Sequence, residues 1–342
     1  MVFGKNKIVF ILPYFGKFNS LFPLWLKSCE WNKDIDWLIF TDNHISFNTS
    51  PNIRFINISF SEMKNLIEKT VDFKITLNKA YRLCSFKPAY GDIFKEYITN
   101  YDWWGYCDCD LIWGKLSDFI SKMPDDCFQF GRFGHCTFVP NNDFSRKLYK
   151  YSDAYKLVFT TDDTLFFDEI GFREIALVNH LKIYEEFPLG DFNPRKKAFS
   201  PVWNCGESAD VPTAQLFTAD KEGLTRWYLK DGEIRSNQIA YIHFLKRKMN
   251  VADNLNLNGR LLITPNNITN CNDKITKEMI VDSANNGFYW DYWINGLKPK
   301  MVLKKIRARL SISHRQDMKA INEKIRRFYN TTEGKINQSS ES

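Results

Sequence analysis

Tyr101-Asp102-Trp103-Trp104-Gly105-Tyr106-Cys107-Asp108-Cys109-Asp110 decides how the rest of the chain is read. Residues 102–107 are mostly aromatic or apolar, the composition of a strand covered on both faces. The run ends on two carboxylates with one residue between them. Along an extended chain, residues i and i+2 point to the same side, roughly 6–7 Å apart. A slight turn there lets both reach one cation. A hard divalent ion such as Mg²⁺ takes one or two carboxylates and leaves its other positions to water and substrate phosphates. The stretch therefore predicts a strand that delivers Asp108 and Asp110 to a metal-bridged nucleotide-sugar site.

The triplet itself says little. The chain has 25 Asp among 342 residues and holds two Asp-x-Asp triplets, which is what chance alone supplies. Context separates them. Asp34 and Asp36 precede the apolar run Trp37-Leu38-Ile39-Phe40, at the start of a strand, and read as solvated surface. Asp108 and Asp110 stand where a strand ends, and open α/β sheets bind ligands beyond the carboxyl ends of their strands.

Outward from this strand, the pattern is one of alternating elements. Ile8 to Leu12 is a short apolar run closed by Pro13-Tyr14-Phe15-Gly16, a strand followed by a turn. Apolar residues at 21, 22, 24, 25, 26 and 29 fit an amphipathic helix to Trp31. Trp37 to Phe40 and Ile53 to Ile58 read as strands, and Ser61 to Val71 as a helix with Ser61 as N-cap. The order β-α-β-β-α indicates an α/β sheet with parallel members. Residues 79–100 read helical, with Lys87-Pro88 opening the main helix. A helix near Lys115–Met123, strands at Cys127–Phe130 and Cys136–Val139, and helices over 143–157 and around Phe166–His180 follow. Asp231-Gly232 between two strand-like runs is a hairpin signal. Residues 240–245 make another strand, followed by Lys246-Arg247-Lys248.

Charge is uneven along the chain. The net +7 arises wholly from residues 298–342, which hold 12 Lys/Arg against 4 Asp/Glu. The body is nearly neutral, which argues against a nucleic-acid partner. In the basic stretch Met301, Val302, Leu303, Ile306, Leu310, Ile321 and Ile325 lie among the cations. That pattern fits basic amphipathic helices that lie on an anionic membrane, or a solvated helical tail. The end of the chain is polar and reads as disordered. Pro13 stops the first apolar run too early for a secretory signal, whose apolar region needs about 7–15 residues. The eight Cys contain no C-x-x-C pair, so reduced thiols and a cytoplasmic location, peripheral on the inner face of the cytoplasmic membrane, are expected.

Several motifs together resemble a bacterial family of GT-A type glycosyltransferases found in capsule and lipopolysaccharide O-antigen gene clusters. They are Pro13-Tyr14-Phe15-Gly16, Thr41-Asp42, Phe86-Lys87-Pro88-Ala89-Tyr90-Gly91-x-Ile93-Phe94 and Trp104-Gly105-x-x-Asp108-x-Asp110. Gly134-His135-x-Thr137, Phe167-Asp168-Glu169-x-x-Gly171 and Tyr241-Ile242-His243-Phe244-x-Lys246-Arg247 extend the match, which covers about residues 7–249. The resemblance implies a Rossmann-like, mostly parallel sheet flanked by helices. It implies that Asp108 and Asp110 hold Mn²⁺ or Mg²⁺ on a sugar-nucleotide diphosphate, a UDP-sugar above all, with His243 completing the metal shell. The nucleobase would lie near Pro13, Tyr14, Phe15 and Asp42. Ser85 and Arg82 depart from the family pattern, where Asp and Lys are expected.

The expected organisation is a transferase domain over 1–250, an extension packed on it over 251–297, and the basic tail over 298–342. Lys87 could neutralise a phosphate as a point charge or be a solvated residue at a helix start. Asp168 or Glu169, in an acidic cluster with Asp162 and Asp163, is the candidate base for the acceptor hydroxyl, against helix-start charges. His135 could contact a sugar or make a structural hydrogen bond. Lys246 and its basic neighbours could hold the diphosphate or be a solvated strand end. The expected function is metal-dependent sugar transfer to a lipid-linked or oligosaccharide acceptor of the cell surface. A sugar nucleotidyltransferase and a non-catalytic glycan-binding protein are the rivals.

Overall fold

The computed structural model describes residues 7–46, 48–151, 153–162, 165–192, 214–245, 247–284, 298–300 and 302–303. In chain order the first eight strands are β1 (Ile8–Pro13), β2 (Ile35–Thr41), β3 (Ile53–Asn57), β4 (Trp103–Cys107), β5 (Leu111–Trp113), β6 (Gln129–Phe133), β7 (Cys136–Pro140) and β8 (Ile183–Tyr184). Next come β9 (Leu189–Asp191), β10 (Gln215–Asp220), β11 (Gly223–Lys230), β12 (Glu233–Gln238), β13 (Tyr241–His243), β14 (Asn250–Val251), β15 (Leu261–Ile263) and β16 (Asn267–Asn270). Two longer helices flank the beginning of the chain, α1 (Phe22–Trp31) and α2 (Phe60–Val71).

The main sheet has the order β3-β2-β1-β4-β7-β6-β8. β3, β2, β1 and β4 run parallel, and β7 then pairs antiparallel to β4. All six residues of β1 are buried, as expected where helices cover both faces. Alternation divides them. Phe10 and Leu12 pack with Trp37, Ile39, Phe22 and Trp25 on the α1 side. Val9 and Ile11 pack with Leu38, Phe40, Trp104, Met63 and Ile67 on the α2 side. The result is a mixed α/β architecture.

Local chemistry departs from the expected reading at two places. The N-cap of α2 is Ser59, not Ser61: its hydroxyl accepts from Glu62 N at 3.1 Å, and the Glu62 carboxylate accepts from Ser59 N at 2.8 Å. That reciprocal pair requires an acidic residue three positions after the cap. Lys87-Pro88 does not open a long α-helix. It lies near the end of a 3₁₀ run, Ala80–Ala89, followed by one α turn, Tyr90–Ile93. Buried Arg82 ties this run down, donating to Ser85 Oγ at 2.9 Å and to the carbonyls of Val158 and Thr161, each at 2.7 Å.

A six-stranded sheet, ordered β12-β11-β10-β15-β16-β14, forms the second layer. Its β11–β12 hairpin turns at Asp231-Gly232, both with positive φ (53° and 74°), as the sequence predicts. Residue 250 lies inside this sheet, because β15 pairs with β10 and β14 with β16. A short helix, Lys277–Ala284, docks on it through Ile280 and a bond from Ser283 Oγ to Gln215 O of 2.9 Å.

What positions the site is the change of direction in the main sheet. From β1 the chain crosses to β2 on one side and later to β4 on the other. The carboxyl ends of β1 and β4 therefore border a crevice of the kind in which α/β sheets bind ligands.

Candidate functional site

Asp108 is the first residue beyond β4, and its N–H donates to His135 O at 3.2 Å. The chain then bends over Cys109-Asp110 and enters β5, which leaves the main sheet. β5 joins a separate three-stranded sheet ordered β5-β13-β9. This transfer brings Asp110 to His243, since Leu111 pairs with His243 and Phe244 N donates to Asp110 O at 3.0 Å. On its other edge β13 pairs with β9, which sets Asp191 opposite His243.

Four side chains converge as a result. His243 Nε2 lies 3.4 Å from Asp110 Oδ1 and 3.8 Å from Asp108 Oδ2. Its Nδ1 lies 2.9 Å from Asp191 Oδ1. The His243 side chain is only 6% exposed, whereas Asp108 is 37% exposed, so the cluster opens on its carboxylate side. Burial opposes charge on His243, but the hydrogen bonds and charges of Asp110, Asp191 and Asp108 push its pKa up to about 10. A pocket that so favours a proton on imidazole is one that favours a cation. Asp108, Asp110 and His243 could hold a metal ion, and so could His135, Asp191 and His243. The bond from Asp191 fixes the ring, the arrangement by which metal-ligating histidines are commonly oriented.

Beneath the carboxylates lies Lys87. Its ammonium is 2.5 Å from Asp108 Oδ1, 3.4 Å from Asp168 Oδ2 and 2.7 Å from Gly134 O. Burial alone would lower its pKa, but Asp108 and Asp168 outweigh it and hold it well above the usual lysine range. The ammonium donates to Asp108 Oδ1 and Gly134 O and pairs with the charge of Asp168. Lys87, read from the sequence as meeting a phosphate or as solvated at a helix start, is buried and braces Asp108 and Asp168.

Asp168 and Glu169 lie on a π-helical turn, Phe167–Gly171, preceded by Phe166 in the left-handed region (φ 51°). Burial raises the Asp168 pKa and Lys87 opposes it. Burial and the neighbouring Asp168 charge raise Glu169. Gly134 admits this turn: a Cβ there would fall 2.3 Å from Asp168 Oδ2. Tyr106 on β4 also meets it, donating from its hydroxyl to Asp168 O at 3.3 Å.

A family model described as a family of unknown function, DUF6625, matches residues 10–272. The chain belongs to that family. No curated protein matches it. The DUF6625 match encloses every site residue from Pro13 to His243 and the strands of the second layer.

Within this DUF6625 chain, the other expected site residues are placed as follows. Pro13 and Phe15 are buried, Phe15 against Phe60 at 5.3 Å between ring centroids. Tyr14 is half-buried, stacks on Phe18 at 5.1 Å, and is near enough to Cys109 and Asp110 that they add to burial in raising its pKa. Asn19 closes the gap between the two strand ends with a contact of 3.4 Å to Cys109 Sγ. Asp42 is exposed at the end of β2. Lys246 and Asp163 lie outside the described residues. Arg247 is buried, bonding Pro265 O and reaching Asn266 Oδ1 at 3.5 Å. Asp162 accepts from Asn78 Nδ2 at 2.9 Å on the surface. Asp36 is held by the Tyr101 hydroxyl at 2.5 Å, away from the crevice. Asp191 escaped the reading of the sequence, and its one signal is the end of the short strand Leu189-Gly190-Asp191. Among the described residues no helix is long and apolar enough to cross a membrane.

Proposed function

We propose that the chain is a metal-dependent glycosyltransferase of GT-A type that moves a sugar from a nucleotide-diphosphate donor, a UDP-sugar, to a growing cell-surface glycan. The observation that carries this reading is the convergence of Asp108, Asp110 and His243 beyond β4, at the crevice where the sheet changes direction. The carboxylates suit Mn²⁺ or Mg²⁺, and the imidazole is an acceptable ligand for Mn²⁺. When bound, the ion would neutralise the donor diphosphate and the charge that builds on it as it leaves.

The chain's own residues supply the rest. Lys87 holds Asp108 in place. Asp191 holds the His243 ring with Nε2 toward the carboxylates. Tyr14, beside Asp110, and exposed Asp42 border the side of the crevice on which a nucleoside would lie. Glu169 is the better placed of the two candidate bases: it is partly exposed, while Asp168 is buried against Lys87. A carboxylate of raised pKa is a stronger base at neutral pH. In an inverting transfer the acceptor oxygen bonds to the anomeric carbon as the bond to the diphosphate oxygen breaks, and Glu169 takes the acceptor proton. The acceptor is a lipid-linked or oligosaccharide chain, and the basic stretch 298–342 attaches the enzyme to the anionic membrane that carries it.

The test is a thermal-shift screen of nucleoside diphosphates and nucleotide sugars with and without Mn²⁺. Ligands that bind the folded state raise the melting temperature by mass action. The expected result is a shift that requires both nucleotide and ion and vanishes in Asp108→Ala. Transfer should vanish with it, and Glu169→Gln should lose about 10²-fold in turnover. An ion-independent shift, or near-normal transfer by Asp108→Ala, would overturn the reading.

A further inference from the structure

His135 has a role that sugar transfer as described above leaves unused. His135 is 2% exposed, and among the described residues neither ring nitrogen has a hydrogen-bond partner. Buried polar atoms are nearly always paired, so an orphaned imidazole calls for a specific explanation. Packing holds the ring firmly. It stacks on Phe133 at 5.0 Å, meets Tyr241 edge-on at 5.5 Å, and lies 4.1 Å from the His243 ring at an interplanar angle of 32°. Its backbone is fixed beside Asp108.

The surroundings say what the nitrogens are for. A ligand atom of His135, one of Asp191 and one of His243 all lie within 4.8 Å of one another. Ligands on one first-row ion, with bonds of about 2.0–2.2 Å, cannot lie much farther apart than twice that bond. A hydrogen-bonding role would need an acceptor or donor on the ring, and the described residues offer none. A purely packing role would be served by Phe in the same aromatic stack.

We propose that His135, in the group it forms with Asp191 and His243, is a second nitrogen ligand of a cation held at His243, which makes that site select an imidazole-binding transition-metal ion such as Mn²⁺ over Mg²⁺. The chemistry follows from ligand type: carboxylates alone suit either ion, whereas imidazole suits transition metals and is a poor ligand for Mg²⁺. Asp191 completes the group with the His pair, and Asp108 and Asp110 border His243 on its other, open side. The inference rests on the cation reading of the site but is separable from the transferase reading.

The experiment uses the full chain and MnCl₂ or MgCl₂ as probes, with no substrate. Electron spin-echo modulation of bound Mn²⁺ counts coordinated imidazole nitrogens. Two are expected in the wild type and one in His135→Phe, which keeps the aromatic stack and removes the nitrogens. By titration, His135→Phe should lose on the order of 10-fold or more in Mn²⁺ affinity, the scale seen on perturbing a metal ligand's surroundings. Its weaker Mg²⁺ binding should change little. One nitrogen in the wild type would overturn the proposal while leaving Asp108, Asp110 and His243 as the ion's ligands. Unchanged Mn²⁺ affinity in His135→Phe would overturn it too. No Mn²⁺ binding by the wild type would overturn this inference and the metal-dependent reading together. The wild-type spectrum decides the matter even if the variant does not fold.

Discussion

At the scale of single residues, the site is a balance of buried charges. Asp191 is the instructive case because it faces away from the open side. Its carboxylate on Nδ1 holds the His243 ring with Nε2 toward Asp108 and Asp110. Asp191→Asn should weaken ion binding by about 10–100-fold, read by titration with Mn²⁺, with little change in the melting temperature of the ion-free protein. Glu169 gives a prediction in pH. Burial and Asp168 raise its folded pKa, so the native state holds its proton more tightly than the unfolded state does. Stability from this group is present at acid pH and falls as pH rises from the ordinary carboxyl range through the raised value. Glu169→Gln should therefore melt higher than wild type at neutral pH and alike near pH 3, read by calorimetry with EDTA present. A wild-type excess at neutral pH would show that the ionised form makes a stabilising contact instead. The acidic pair was legible from residue type and position at a strand end, whereas His243 entered only through the resemblance of its motif. The direction of Lys87 was not legible, because its charge and neighbours in sequence are the same whether it points to a phosphate or to Asp168, 81 positions away.

At the scale of elements, what the sequence shows depends on length. β1, β2 and β4 are apolar runs long enough to declare themselves, and the β11–β12 hairpin is marked by its Asp-Gly turn. β5, β9 and β13 have three residues each, too few to display a period. Yet these three strands carry Asp110, Asp191 and His243 to one point. Their pairing is long-range, and no local pattern encodes it. The 3₁₀ run of Ala80–Ala89 was missed for a related reason: buried Arg82, bonded to carbonyls far along the chain, sets its shape. The cap of α2 allows a direct comparison. Ser59→Ala removes the acceptor for Glu62 N and should cost about 1 kcal/mol. Ser61→Ala removes an exposed hydroxyl whose bond is to Ser59 Oγ at 3.0 Å, not to a helix N–H, and should cost a small fraction of that. Urea melts of the two variants check it, and equal losses would place the cap within a shared network of both serines.

At the scale of the whole molecule, the question is how a nearly neutral body and a basic end divide the work. The family match stops at residue 272. The last helix seen to dock, Lys277–Ala284, ends well before residue 298. Removing residues 298–342 therefore takes away a net charge of +8 without touching the contacts of Ile280 or Ser283 with the second layer. Near an anionic surface each Lys or Arg contributes on the order of 1 kcal/mol, so even partial docking of this stretch would hold the protein there. Screening opposes it, since the Debye length falls to about 3 Å at 1 M salt. The full chain should accordingly sediment with anionic vesicles at low salt and be released at high salt. The chain ending at residue 297 should stay in solution in both. It should melt at nearly the same temperature and show the same nucleotide- and Mn²⁺-dependent thermal shift, because every site residue from Pro13 to His243 remains. Absence of vesicle binding by the full chain would remove the membrane from the account. A truncated chain that unfolds would mean instead that the stretch packs on the body, its cations forming the solvated face of a structural helix.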